Sequence, residues 1–169
     1  WPIFEVAEEK GLPIAMHAGG SGTTLTQTIP GSYPSSYFEW HNQFPLKYMN
    51  HLNSAVCEGV FERFPDLQFV FVEGGISWLP AMLWRMDKNW KGLREQSPWL
   101  DNPPSEYVLD SVRFTTQPIE EPPKPEYLRQ IFEMVHAEKT VMFSSDFPHW
   151  DGDSPVHGLP NFDDDLEER

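Results

Sequence analysis

Three apolar runs in this 169-residue chain each close on a polar residue where a glycine or proline turns the chain. They lie at residues 12–17, ending in His17, at 67–73, ending in Glu73, and at 140–146, ending in Asp146. A fourth, shorter run at 112–116 is also strand-like. Helix-like sequence separates the four, and such alternation implies parallel strands joined by right-handed crossovers. Parallel α/β enzymes assemble their reactive groups at the carboxyl ends of the strands. His17, Glu73 and Asp146 are therefore placed for chemistry.

Helical spacing of apolar residues predicts helices over 1–10, 51–64, 78–93 and 126–138. Segments 19–50, 97–105 and 117–125 read as loops, the first rich in Gly, Ser, Thr, Pro and Tyr. The order is α-β-α-β-α-β-α-β. Four strands are too few for a closed barrel of eight, so the chain holds an open sheet or half of a barrel. It opens on Trp1-Pro2 without an initiator Met and stops in the charged run 163–169. Those ends favour half of a barrel, read as a single domain over 1–169.

Twelve Lys and Arg against 26 Asp and Glu give a net charge of −14. Such a surface repels phosphate backbones and anionic lipid, which excludes nucleic-acid and membrane-surface roles. No apolar run approaches the roughly 20 residues of a spanning helix. The lone Cys57 rules out an internal disulfide, is expected to pack inside a helix stripe, and fits a reducing cytoplasm. Aromatic residues make up 14% of the chain, a composition suited to deep pockets or subunit interfaces. The open edge of a half barrel also calls for a partner, as in a homo-oligomer.

Residue by residue, the candidates carry competing readings. His17, followed by Ala-Gly-Gly, is placed to bind a divalent metal or to bond a neighbouring backbone group. Asp146, before Phe-Pro-His, can bind metal or take a proton from metal-bound water, against a turn aspartate bonding its own backbone. Glu73, before Gly74-Gly75, is a general base, a ligand, or an N-cap-like carboxylate for the helix near Trp78. His149 and Trp150 follow Asp146 as substrate contacts, Asp151 and Asp153 read as solvated loop, and His51 as a lining residue. His41, His136 and His157 read as ordinary surface residues.

Three words in this order, at 13–17, at 71–75 with Trp78-Leu-Pro80, and at 144–149, resemble the amidohydrolase-related (amidohydrolase 2) branch of the metal-dependent amidohydrolases. That branch holds aminocarboxymuconate semialdehyde decarboxylase and other non-oxidative decarboxylases beside hydrolases. The resemblance implies strands five to eight of a TIM-like (β/α)8 barrel, a fragment lacking the barrel's N-terminal half. It implies His17 and Asp146 as metal ligands, with zinc, or manganese, as cofactor. Glu73 stands where the decarboxylases carry a water-activating histidine, and the family's first-strand ligands have no counterpart here. Alone, the chain is expected to bind metal weakly and to show little activity. The expected function is hydrolysis, or non-oxidative decarboxylation, of a small carboxylic acid, amide or ester through metal-bound water. Tyr33, Tyr37, Phe38 and Trp40 are expected to roof the pocket. The competing hypothesis is a non-catalytic α/β module whose aromatic loops bind a partner chain.

Overall fold

The computed structural model describes residues 1–17 and 34–154. The Gly-Gly after His17, Tyr33, His157 and the acidic run at 163–169 lie outside them. Four strands form one parallel sheet in sequence order: β1 (Ile14–His17), β2 (Phe69–Val72), β3 (Val112–Thr115) and β4 (Val141–Met142). His17 is in register with Val72, and Thr115 with Met142, so the polar strand ends lie along one edge. The expected alternation and parallel pairing are both present.

Period-two side chains divide the sheet. Phe69, Phe71, Val112 and Phe114 point to one face and are buried. Phe71 stacks on Phe114 at 5.7 Å, Tyr48 meets Phe71 edge-on at 5.5 Å, and Phe61 meets Phe69 at 5.0 Å. Burying each such ring contributes about 2–3 kcal/mol. Ala15, His17, Val70 and Val72 point the other way and are more exposed. A parallel sheet normally has both faces covered, so one covered face is consistent with part of a barrel.

The helices depart from the expected bounds where special backbone intervenes. After α1 (Pro2–Glu9), the expected loop at 19–50 contains α2 (Tyr37–Asn42) and the start of α3 (Phe44–Cys57). Pro45 occupies the first turn of α3, where proline costs no hydrogen bond. Gly59, left-handed at φ 72°, ends the expected 51–64 helix and separates α3 from α4 (Val60–Arg63). Cys57 closes α3 exposed instead of packed in a stripe.

α5 (Leu79–Gly92) matches expectation, with Leu79, Leu83 and Met86 buried. α6 (Pro104–Ser111) is an unforeseen helix; Asp87 accepts from the Ser105 N–H at 2.9 Å and from its hydroxyl at 2.7 Å. The expected 126–138 helix is split by His136, at φ 53°, into α7 (Pro125–Met134) and α8 (Ala137–Thr140). β4 is shorter than the expected 140–144, because Thr116 and Ser144 continue the pairing through side chains. Among the described residues no helix is long and apolar enough to cross a membrane.

Candidate active site and metal centre

The strand-end edge carries the site. Glu73 follows β2 directly, with left-handed backbone at φ 65°. Its N–H donates to Thr115 Oγ1 on β3 at 3.1 Å, and its carboxylate is almost fully buried. Gly74 and Gly75 make the turn possible. A Cβ on Gly74 would lie 2.7 Å from the Tyr48 ring, and one on Gly75 would lie 2.5 Å from Glu120 Oε1.

Glu120 answers one of the alternatives for Glu73. Its carboxylate accepts from the Ile76 N–H at 3.1 Å and from the Ser77 N–H at 3.1 Å, just ahead of α5. The helix-capping role lies with Glu120, which leaves the Glu73 carboxylate turned toward the strand ends. There the His17 ring donates from Nε2 to Glu73 Oε1 at 2.6 Å. That pairing lets His17 fix the orientation of the Glu73 carboxylate.

Asp146 lies four residues past β4, again left-handed, at φ 51°. The His149 ring bonds Asp146 Oδ2 through Nδ1 at 2.6 Å, and the His149 N–H donates to the Asp146 carbonyl at 2.9 Å. The hydrogen bond and the carboxylate charge together raise the His149 pKa above its ordinary 6.5. Asp146 thus turns the chain while its carboxylate holds the His149 ring.

One ligand atom each from Glu73, Asp146 and His149 falls within 4.8 Å of the others. Two carboxylates and an imidazole, one carboxylate buried, form a donor set suited to zinc or manganese. His17 meets this group through Glu73. His51 does not join it; it stands exposed on α3. Trp150 is largely exposed, with its Nε1 3.5 Å from the Tyr37 hydroxyl.

His41, read from sequence as a surface residue, is half-buried near the site instead. Its Nε2 lies 3.4 Å from Asp151 Oδ2, and its ring is bracketed by Tyr37, Phe44 and Trp150 at 4.9–5.9 Å. Asp151 and Asp153 are likewise half-buried, which corrects the solvated-loop reading. Burial, ahead of the charges of Glu121 and Asp151, pushes the Asp153 carboxyl up. The fully buried Gln117 donates to the Asp151 carbonyl and so anchors this loop to the end of β3. Of the expected roof, Tyr37 and Trp40 pack together at 5.4 Å, while Phe38 points outward. A cavity of about 200 Å³ opens beside the cluster, lined by His41, Phe44, Glu73, Gly74, Gly75 and Glu120 among others.

Glu120 and His41 escaped the sequence analysis. Glu120 lies in a proline-rich connector with no periodicity, and His41 lies in α2, a short helix hidden in a segment that reads as loop.

Comparison with known proteins places the fold and the family. An amidohydrolase from Mycobacterium avium subsp. paratuberculosis superposes with a TM-score of 0.69 at 24% identity, covering 92% of this chain and 37% of its own. The 5-carboxyvanillate decarboxylase of Sphingomonas paucimobilis gives 0.56 at 25% identity, over 87% and 42%. That of Novosphingobium aromaticivorans, complexed with manganese and 4-hydroxy-3-methoxy-5-nitrobenzoic acid, gives 0.57 at 18%, over 87% and 41%. The chain thus spans less than half the length of each of these structures. No curated protein matches the sequence. The amidohydrolase family profile (Amidohydro_2) matches residues 1–169, the whole chain, which therefore belongs to the amidohydrolase family.

Proposed function

We propose that this chain supplies the strand-five-to-eight half of a metal-dependent barrel that hydrolyses or decarboxylates a small carboxylic acid, amide or ester. The observation that carries the proposal is the meeting of Glu73, after β2, with Asp146 and His149, after β4, within 4.8 Å, with His17 hydrogen-bonded to Glu73. Asp146 and His17 are the proposed metal ligands read from the strand ends. Glu73 and His149, with Asp146, make up a three-donor set, and His17 adjoins it through Glu73. Zinc is the metal proposed here, and manganese is the one held by the Novosphingobium relative. When bound, it supplies Lewis-acid polarisation and a water of lowered pKa.

The chain's own groups do the rest. Glu73, buried and oriented by His17, accepts a proton at a carboxylate oxygen from a donor in the adjoining cavity. Asp146 holds His149 in place, and His149 and Trp150 contact the substrate from the loop after β4. Phe44, Tyr37 and Trp40 form an aromatic wall suited to an apolar or aromatic body. A homo-oligomer is the proposed assembly, since the sheet keeps one partly uncovered face.

Metal analysis after dialysis tests the proposal. Stoichiometric zinc or manganese in the complete barrel that contains this half, lost in Asp146→Ala and in His17→Ala, is the expected result. Release of CO₂ from aromatic acids, against acid release from amides or esters, then separates the two reactions. A complete barrel that holds no divalent metal at millimolar supply would overturn the proposal and leave the partner-binding module.

A further inference from the structure

We propose that a second cavity, between α3 and α5, binds a small apolar-bodied carboxylate through Arg85. The cavity has a volume of about 350 Å³ and shares no lining residue with the carboxylate–histidine cluster. That size falls within the range of small-molecule sites, which are mostly apolar with a few placed polar groups. Met82, Met86 and Trp90, at four-residue spacing on one face of α5, form its apolar wall with Leu93 and Leu100.

The wall is held in shape. Trp90 Nε1 donates to the Leu100 carbonyl at 3.3 Å, and Arg94 donates to the same carbonyl while stacking over the Trp90 ring at 4.3 Å. Arg94 is thereby committed to building the wall. Arg85 is a different case.

The chain carries 26 acidic residues, yet none of them lines this cavity, and Arg85 is the one charged residue that does. Among the described residues no carboxylate pairs with it. Cys57, also in the lining, has its thiol pushed up by burial, with the Glu58 charge second. The remaining polar groups, Asn53, Asn89, Gln96 and Ser97, are neutral. A lone forked guanidinium at the side of an apolar wall matches a carboxylate on an aliphatic or phenyl body.

Isothermal titration of the full chain with 4-phenylbutyrate, and with the uncharged 4-phenylbutanol, tests this. Arg85 is exposed, so Arg85→Gln is expected to fold normally. The acid is expected to bind about fivefold more tightly than the alcohol, and Arg85→Gln is expected to abolish that difference. Binding of the acid should persist in Asp146→Asn, which disables the other site. Three results would overturn the proposal: no heat with either compound, equal affinities in the unaltered chain, or binding lost in Asp146→Asn and kept in Arg85→Gln.

Discussion

Glu73 and Asp146, the two carboxylates of the cluster, both stand on left-handed backbone, at φ 65° and 51°. Aspartate tolerates that region because its short side chain bonds locally; glutamate does not, and the conformation costs it about 1–2 kcal/mol. The chain retains that cost where the Glu73 carboxylate is turned toward His17 and Asp146. Strain at this point is what aims the group.

A substitution pair at Glu73 separates backbone from chemistry. Glu73→Asn suits φ 65° and should leave stability within about 1 kcal/mol of the parent chain. Glu73→Ile, β-branched in the same conformation, should cost at least about 2 kcal/mol more. Urea midpoints measure both. Each variant should lose divalent metal, so the difference between them reports the backbone alone.

The His149–Asp146 pair predicts opposite pH responses for stability and for metal binding. The His149 pKa is raised above 6.5 in the folded chain. Its stabilising contribution is therefore fully present below pH 6.5 and lost as pH rises through the raised value. Metal requires the deprotonated ring, so affinity should rise through that same interval. Titration of metal binding across it in the parent chain and in His149→Gln checks the sign: the variant should bind weakly with a flatter profile. Asp146→Asn should return the His149 ring resonances toward their ordinary midpoint in NMR.

Much of this arrangement was legible in the sequence, for reasons that differ by residue. Buried strands write themselves as apolar runs, so β1, β2 and β4 and their polar ends His17, Glu73 and Asp146 could be read directly. That these ends converge followed from parallel pairing, which fixes all carboxyl ends to one edge. Single-residue backbone events were harder. Gly59 looked like any helix glycine, and no local pattern marks His136 at φ 53° as a break. The partner choices were illegible. Glu120 caps the approach to α5 and His41 meets Asp151 only because the sheet order brings distant connectors together.

His41 and Asp151 join α2 to the loop after β4, with both side chains mostly buried. At 3.4 Å the contact is longer than a tight charge-assisted bond, and its coupling should be modest, about 0.5–1 kcal/mol. A double-mutant cycle with His41→Ala and Asp151→Ala, read by thermal unfolding at pH 6, measures it. Coupling near zero would mean that the surrounding Tyr37 and Trp150 rings alone seat α2.

Gly75 and Glu120 give the sharpest steric test of how the Glu73 turn is built. Gly75 has φ 63°, and an added Cβ would approach Glu120 Oε1 to 2.5 Å. Gly75→Ala therefore incurs a left-handed penalty and displaces the carboxylate from the Ile76 and Ser77 N–H groups. The expected loss is about 2–4 kcal/mol. Glu120→Ala alone should cost about 1–3 kcal/mol by leaving two backbone donors without their partner. The two losses should not add: in the double variant the steric conflict is gone, and the total should fall short of the sum by about 1 kcal/mol or more. Strict additivity in urea unfolding would show that Glu120 moves aside freely, and that the turn carrying Glu73 is held by Thr115 and Tyr48 instead.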